Sequence, residues 1–347
     1  MRVPPIVTLT VNPCVDESAD VDRVVPDRKL RCGAPRYEPG GGGINVARAV
    51  HRLGGDALAI YPAGGPAGDL LRTLLADEGV PQRAIPIASR TRENLNVFEI
   101  STGRQFRFVL PGPDLAPAER EALFAEVAGM RPFPRYLVAS GSLPPGVPPD
   151  YLARLARLAR ERGGRFVLDG SGDPARRALE EGVFLAKPSL AEFQRLTGLT
   201  DAGEANLVRE AQRWIARKRC EVVVVSLGVA GVLCVSSDSV ERRAAPVVPV
   251  RSTVGAGDSM LAGIVWSLEG GRSLSNALRF GIAAGAATVM NPGTALCRRE
   301  DAHRLYEEMS TRVGSEEVTA WKADATATDA CASGDPRRRL VQEEHPD

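Results

Sequence analysis

Two glycine-rich segments, each followed by apolar residues at helical spacing, are the strongest chemical signals in the sequence. The first spans residues 40–43 and precedes INVARAVHRL, and the second, STVGAG at 252–257, precedes Asp258 and then SMLAGIVWSL. Glycines allow the backbone to approach a ligand closely, and the free N–H groups at a helix N-terminus attract anions. The sequence therefore predicts two turns that bind polar or anionic groups.

The second segment has the components needed to transfer a charged group to a hydroxyl. The N–H groups of Gly255, Ala256 and Gly257 would form an anion hole for the charge that develops on a phosphoryl group during transfer. The Asp258 carboxylate, in the first helical turn, would take the proton from the acceptor hydroxyl. The alternative is an aspartate that only caps a helix after a glycine turn.

The first segment suits a sugar rather than a dinucleotide. Asn45 stands where the third glycine of a dinucleotide-binding fingerprint would fall. Its amide instead suits a hydrogen bond to a sugar hydroxyl. The alternative is a flexible turn, but four consecutive glycines cost conformational entropy, so we expect a specific backbone requirement at this point.

Two further segments follow predicted strands. In the sequence KPSLAE, Lys187 carries a compact positive charge suited to a phosphate, and Glu192 would hold magnesium through water. The spacing of Ser189 and Glu192 also fits a helix capping box, so both interpretations remain open. The sequence SLGVAG at 226–231 places glycines at a strand end, as expected of a nucleotide-binding turn.

The elements that must position these residues alternate between strands and helices, which indicates an α/β fold with a mostly parallel sheet. The pattern predicts strands at 6–11, 56–61, 136–139, 165–168, 183–186 and 222–226, and helices at 44–53, 67–78, 117–128, 150–162, 174–181, 204–217 and twice within 257–290. Residues 231–250 are expected to form an antiparallel edge. Residues 94–110 alternate around an STG turn, which predicts a hairpin in a small separate sheet with parts of 18–38.

Composition excludes several classes of function. The 44 basic and 43 acidic residues give a net charge of +1, which favours binding neither to nucleic acid nor to a membrane. Six cysteines without a C-x-x-C pair, and only three histidines, argue against a zinc site and a Ser–His–Asp hydrolase. Because no run of 18 apolar residues and no signal-peptide pattern occurs, we expect a cytoplasmic protein. Only four of the basic residues are lysines, namely Lys29, Lys187, Lys218 and Lys322.

In their order along the chain, these segments resemble the PfkB/ribokinase family of sugar kinases, and within it the phosphofructokinase branch. The stretches that carry the resemblance are KLRCGAP at 29–35, EPGGGGINVARA at 38–49, PAGG at 62–65, SGSLPPGV at 140–147, VVSLG at 224–228 and STVGAGDSM at 252–260. The resemblance implies one kinase domain over 1–310, of ribokinase-like three-layer α/β/α architecture, with a small β-sheet lid from about 14–38 and 90–112. Residues 311–347, rich in Ala, Thr and charge, are predicted to be a disordered tail.

The resemblance also implies an activity and its partners. MgATP would phosphorylate the 1-hydroxyl of fructose 6-phosphate, giving fructose 1,6-bisphosphate and ADP, the ATP-dependent 6-phosphofructokinase reaction of glycolysis. The lids of two subunits would clasp to form a homodimer, and K+ is included among the expected cofactors. The alternatives are a kinase of another phosphosugar, such as tagatose 6-phosphate, a kinase that forms fructose 1-phosphate, and a non-catalytic sugar-phosphate or nucleotide sensor.

Finally, the resemblance assigns a role to each candidate residue. Asp258 would be the general base, and the anion hole would consist of Gly255, Ala256 and Gly257. The sugar-phosphate site would consist of Asp16, Lys29, Gly41, Gly42, Gly43, Asn45, Arg92 and Ser140. The nucleotide would contact Lys187, Ser189, Ser226, Gly228 and Gly231. Glu192 would act on magnesium through water, Ser189 replaces the family's usual asparagine, and a monovalent cation would bind at Ser252, Val254, Asn291 and Gly293.

Overall fold

A nine-stranded sheet forms the centre of the structure, a computed structural model that describes residues 3–313. The strands of the described chain are β1 (Ile6–Leu9), β2 (Cys14–Val21), β3 (Arg36–Gly40), β4 (Ala57–Ala63), β5 (Gln82–Pro86), β6 (Arg92–Glu99), β7 (Arg104–Phe108), β8 (Tyr136–Ser140), β9 (Arg165–Asp169), β10 (Val183–Ala186), β11 (Cys220–Ser226), β12 (Val232–Ser236) and β13 (Val240–Arg243). The central sheet has the order β13-β12-β11-β10-β9-β8-β1-β4-β5. It is parallel except at β12 and β13, which form the predicted antiparallel edge.

Helices cover both faces of this sheet. They are α1 (Gly42–Arg52), α2 (Gly65–Asp77), α3 (Pro117–Ala128), α4 (Tyr151–Glu161), α5 (Gly172–Glu181), α6 (Leu190–Thr197), α7 (Glu204–Ala216), α8 (Ala256–Glu269), α9 (Leu274–Val289) and α10 (Arg299–Val313). One hydrophobic core contains residues of α1, α2, α8, α9 and α10, among them Phe280, and the other contains residues of α3 to α7, among them Trp214. Because both faces are covered, the central strands are apolar throughout, as in parallel sheets generally. The predicted three-layer α/β/α architecture is confirmed.

A second sheet of four strands, in the order β3-β2-β6-β7, forms the lid. The predicted hairpin is confirmed, because β6 and β7 pair antiparallel around residues 100–103. Alternate side chains on β2 and β6 are buried and polar, which makes one face of the sheet an inner face. Leu95 and Phe108 lie opposite each other on the other face, with exposed fractions of 38% and 50%.

Several boundaries differ from those predicted. Gly40 closes lid strand β3 and α1 begins at Gly42, so the glycine run joins the two sheets rather than only opening a helix. Strand β5 and helix α10 were not predicted, and α6 was expected only as the capping-box alternative for Ser189 and Glu192, because each element is short or mainly polar. Helix α10 extends to Val313, past the predicted boundary at 310. The remainder of the predicted disordered tail lies outside the described residues.

The order of the strands reverses at β1 in the central sheet. From β1 the chain reaches β4 on one side, whereas β8 flanks β1 on the other. The crevice outside the carboxyl ends of strands at such a reversal is where open α/β sheets bind ligands. In residues 3–313, none of the helices is both long and apolar enough to cross a bilayer.

Candidate active site

The first glycine segment is packed so closely that side chains are excluded from it. A Cβ on Gly40 would lie 2.5 Å from the Asp16 carboxylate, and one on Gly42 would overlap the Ser140 hydroxyl. A Cβ on Gly43 would lie 2.6 Å from the carbonyl oxygen that ends β1. The flexible-turn alternative is therefore wrong: the turn is tightly packed, and it brings the lid carboxylate Asp16 and the β8 residue Ser140 to the start of α1.

One hydrogen bond joins the two glycine-rich segments. The Asn45 amide nitrogen donates to Asp258 Oδ2 over 2.9 Å, although the two residues lie 213 positions apart in the chain. Gly41, with φ of 112°, provides the left-handed backbone from which α1 starts. Thr10, just after β1, accepts the N–H of Ile44 over 2.7 Å and fixes this end of the helix. The predicted sugar-binding turn and the predicted general base therefore form one site.

Asp258 lies in the first turn of α8, among charged groups from three other elements. Burial, together with the nearby Asp169 carboxylate, raises the pKa of Asp258 to about 6, while the Asn45 hydrogen bond and the charge of Lys187 lower it. Asp16 contributes a smaller upward effect. A carboxylate with a pKa near the working pH is suited to accept a proton from an acceptor hydroxyl.

Lys187 follows β10 and is buried, with 4% of its surface exposed. Its Nζ forms an ion pair with Asp169 at 3.1 Å, and a Cβ on Gly257 would lie 3.3 Å from the same atom. Burial alone would lower the pKa of Lys187, but the Asp169 and Asp258 carboxylates outweigh it and raise that pKa. The ammonium is therefore charged and lies beside the first turn of α8.

The start of α8 has the form required of an anion hole. Gly255 adopts the left-handed region with φ of 76°, and the helix begins at Ala256. The first N–H groups of a helix have no partner within it; here that of Ala256 donates to the Thr253 carbonyl at 3.5 Å. The next N–H groups, beginning with that of Gly257, remain to meet an anion, and the helix dipole adds positive potential there.

The predicted nucleotide side lies at the carboxyl ends of β10 and β11. Ser189 is bridged to Ser226 across the strand ends, and Ser226 N–H donates to the Pro188 carbonyl. Gly228 begins a short 3₁₀ turn with φ of 61°, and a Cβ on Gly231 would overlap the backbone after β13. These four predicted residues therefore share one edge of the sheet with Lys187.

The capping-box interpretation of Ser189 and Glu192 is confirmed. Glu192 Oε2 accepts from the N–H of Ser189 over 2.9 Å and from its hydroxyl over 2.7 Å, and Ser189 caps α6. This pairing occupies one carboxylate oxygen and leaves Oε1 for a water on a divalent ion, whose preferred ligands are oxygens. Within residues 3–313 no group of three His, Cys, Asp or Glu side chains is arranged as a metal centre.

The four residues predicted to bind a monovalent cation occupy two adjacent loops. Ser252 N–H donates to the Val289 carbonyl, which joins the loop before α8 to the end of α9. Asn291 is buried and its amide nitrogen donates to two carbonyls, so its oxygen is the atom left for a cation. Val254 is buried in the first loop, and Gly293, with φ of 63°, lies in the second. The oxygen donors fit a hard monovalent ion.

The lid presents its predicted sugar-binding carboxylate on its inner face. Asp16 is 7% exposed and accepts a hydrogen bond of 2.9 Å from Asn94 on the neighbouring strand. Arg92, at the start of β6, donates to the carbonyls of Asn12, Pro13 and Leu110. Its guanidinium therefore braces the lid against the end of β1.

Lys29 lies exposed in the irregular connection between β2 and β3. Within residues 3–313 its side chain forms no ion pair or hydrogen bond. Its role in binding the substrate phosphate stays a prediction.

Three site residues were missed from the sequence. Asp169 ends β9 and pairs with Lys187, Asn94 holds Asp16, and the buried Arg48 contacts Asn45. Asp169 carried a usable signal, since it is a carboxylate at the end of a predicted strand on the edge where Lys187 and Ser226 already lay. Asn94 carried none, because polar residues are ordinary in an alternating strand.

The model of the family described as pfkB family carbohydrate kinase matches residues 9–301. The match spans most of the chain, and the chain belongs to this family; its fold is the ribokinase-like α/β fold.

Curated relatives match along nearly the full length. The ATP-dependent 6-phosphofructokinase isozyme 2 of Mycobacterium tuberculosis (strain H37Rv) is 47% identical over 90% of this chain and 93% of its own. The protein of the same name from Escherichia coli (strain K12) is 42% identical over 88% of this chain and 99% of its own. The solved structure of phosphofructokinase-2 from Escherichia coli with substrates and products superposes with a TM-score of 0.84, at 41% identity, covering 89% of this chain and all of the other. That protein has also been solved with potassium and in a tetrameric inhibited form.

Proposed function

We propose that this chain is an ATP-dependent 6-phosphofructokinase, which transfers the γ-phosphoryl group of ATP to the 1-hydroxyl of fructose 6-phosphate. The observation that carries the proposal is the hydrogen bond from Asn45 to Asp258 at the start of α8. This hydrogen bond joins the glycine turn before α1 to a carboxylate with a pKa of about 6 at a helix N-terminus, which supports the assignment of both to one site. Relatives at 47% and 42% identity carry this activity in their names.

The reaction requires positioning and charge stabilisation rather than a covalent intermediate. Asp258 orients the acceptor hydroxyl and takes its proton as the oxygen attacks phosphorus, while ADP departs with the electron pair of the broken bond. The N–H groups at the start of α8, beginning with that of Gly257, and the adjacent Lys187 ammonium stabilise the negative charge on the phosphoryl oxygens. The lid covers the sugar and excludes water, which limits hydrolysis of ATP.

The sugar phosphate would be held between the lid and the glycine turn. Asp16 and Asn45 offer hydrogen bonds to the sugar hydroxyls, and Ser140 lies against Gly42 at the same point. Arg92, at the start of lid strand β6, supplies positive charge for the 6-phosphate. Lys29 completes this set in our proposal by reaching a phosphate across a subunit boundary, which fits its exposure in the isolated chain.

The proposed cofactors, Mg²⁺ and K+, are ions that bind oxygen atoms, and the site offers such atoms. Glu192 would hold Mg²⁺ through a water, and the ion would supply charge neutralisation on the nucleotide phosphates when bound. The loops that contain Ser252 and Asn291 would bind K+; a potassium complex of the Escherichia coli relative supports this assignment. A cytoplasmic location remains a prediction from the sequence.

A homodimer formed through the lids is part of the proposal. The outer face of the lid presents Tyr37, Leu95 and Phe108, which are 45%, 38% and 50% exposed. They lie in one row across the sheet, and Glu17 of β2, which accepts a hydrogen bond from the Tyr37 hydroxyl, stands between Tyr37 and Leu95. Exposed large apolar side chains on a small sheet are typical of a surface that pairs with another subunit. Sedimentation of the purified chain tests it, with a dimer expected and a monomer at micromolar concentration contradicting it.

The activity is tested by measuring ADP release with a panel of phosphosugars. We expect the highest kcat/KM with fructose 6-phosphate and a bisphosphate product. Preference for tagatose 6-phosphate, or formation of fructose 1-phosphate, would support the other kinase alternatives. Binding of sugar phosphate and ATP without ADP release would support the sensor alternative.

A further inference from the structure

Arg48, on α1, is a fully buried arginine that the proposed reaction does not use. Its Nε donates to both oxygens of Glu78, at 3.1 and 2.9 Å, and its Nη2 also contacts Glu78. Its Nη1 donates to the Pro39 carbonyl in lid strand β3 over 2.8 Å and to Asn45 Oδ1 over 3.2 Å. Glu38, also in β3, faces the guanidinium at 3.9 Å. A buried charge with this many acceptors is costly to assemble, so we asked what it controls.

The contact with Asn45 decides which way the Asn45 amide faces. Arginine has only donors and no acceptor, so the atom of Asn45 that faces Arg48 has to be the oxygen. The amide nitrogen is then the atom that faces Asp258, and it donates to Oδ2 over 2.9 Å. In the flipped orientation, two donors would face each other at Arg48 and two acceptors at Asp258.

We propose that Arg48 is a positioning residue for the reaction, which acts through the Asn45 amide to hold the Asp258 carboxylate and links it to the lid strand β3. The proposal rests on the proposed function, in which Asp258 is the general base. Three observations support it. Arg48 is fully buried, all three nitrogens of its guanidinium form hydrogen bonds, and the Asn45 amide bonds to Arg48 on one side and to Asp258 on the other.

The pH dependence of kcat should depend on the hydrogen bond from Asn45 to Asp258. Asp258 is faced by Asn45 from α1, Asp169 from β9, Lys187 after β10 and Asp16 from the lid, and of these Asn45 and Lys187 favour the ionised form. Because Asn45 lowers the pKa of Asp258, loss of a fixed donor raises that pKa. The general base is then ionised only at higher pH, so the acidic limb of the kcat profile moves upward and the rate recovers in alkaline buffer.

The variants separate the loss of the Arg48 fork from the loss of the Glu78 charge. E78Q retains an acceptor for the Arg48 fork and leaves the contact with Asn45 in place. R48M/E78Q removes the fork and its charge partner together, which is the tolerated way to replace a buried ion pair. R48K retains the charge but offers one compact donor in place of the fork. Profiles of kcat against pH with saturating fructose 6-phosphate and ATP are measured for all three, and the titration of the substrate phosphate is common to every profile.

We expect the limb of E78Q to coincide with the wild type and that of R48M/E78Q to lie about one pH unit higher. R48K should fall between them. In an N45A background, adding R48M/E78Q should move the limb no further, because the route through Asn45 is already absent. A folded R48M/E78Q with the limb of E78Q, or an equal shift in the N45A background, would overturn the proposal.

The Asp258→Asn variant distinguishes an error in the proposed function from an error in the role of Arg48. If D258N retained near-wild-type turnover, Asp258 would not be the base, and the limb would report another group in every variant. If D258N is inactive but the R48M/E78Q limb is unmoved, only the role of Arg48 is wrong.

Discussion

The two sheets of the molecule bury their residues in opposite ways. The central sheet is covered by helices on both faces, and strands such as β11 are almost wholly buried and apolar. The lid sheet has a buried polar inner face with Asp16 and Asn94, and an outer face on which Leu95 and Phe108 are exposed. In our proposal, the central sheet therefore holds the groups that handle charge, while the lid holds groups that recognise the sugar and a second subunit.

Among the variants that compare the two sheets, the largest effect is expected from a single methyl group at their junction. Gly42→Ala places a Cβ against the Ser140 hydroxyl and the backbone after it, so the turn has to shift. Because a misplacement of about 1 Å costs roughly 10²-fold in rate, kcat/KM for fructose 6-phosphate should fall by about that factor. Gly103→Ala is the control, since it places a Cβ in open space at the tip of the lid hairpin and costs only about 1–2 kcal/mol for its φ of 68°. Equal losses of kcat/KM in the two variants would show that the backbone at the junction of the sheets is no more important for catalysis than the hairpin tip, which would contradict this account.

The next largest effect is expected from removing the positive charge of Arg92 at the start of lid strand β6. Arg92→Ala removes a cation that we assign to the 6-phosphate, and charge-assisted contacts contribute about 1.5–3 kcal/mol each. The KM for fructose 6-phosphate should rise roughly tenfold or more, with the KM for ATP nearly unchanged. Arg90→Ala, which removes an exposed arginine two residues away that pairs with Glu93, is the matched control. A change confined to the KM for ATP would show that Arg92 is wrongly placed.

A charge on the outer face of the lid tests whether that face binds another subunit. Phe108→Glu should convert the dimer to a monomer and raise the KM for fructose 6-phosphate, since the lid loses its partner. Val247→Glu introduces the same charge at a site of the large domain that is 99% exposed, and should leave the dimer intact. Analytical ultracentrifugation gives the mass of each; a Phe108→Glu dimer would contradict the lid interface.

The smallest effect is expected for Lys29. In a chain whose other basic residues are almost all arginine, Lys29→Arg retains the charge but replaces a compact ammonium by a planar fork. We expect a several-fold rise in the KM for fructose 6-phosphate, while Lys218→Arg leaves it unchanged. Identical KM values for both variants would remove Lys29 from the substrate site.

The sequence alone was sufficient for much of this account, because the strongest signals were local. Alternating strands and helices, the 94–110 hairpin and both glycine segments follow from short patterns, and the structure confirms them. The hydrogen bond between Asn45 and Asp258 was out of reach, since it joins residues 213 positions apart and depends on the packing of α1 against α8. Arg48 was missed for the same reason: only the folded chain shows that a basic residue within an amphipathic helix is fully buried.

The most direct test of the central claim is the turnover of Asp258→Asn with fructose 6-phosphate and ATP. Since general-base help contributes about 10²–10⁴-fold, kcat should fall by at least that range, while thermal unfolding and the binding of ATP remain close to the wild type. A folded Asp258→Asn protein that retains near-wild-type kcat would contradict the account, because the carboxylate that joins both glycine segments would then not take the proton.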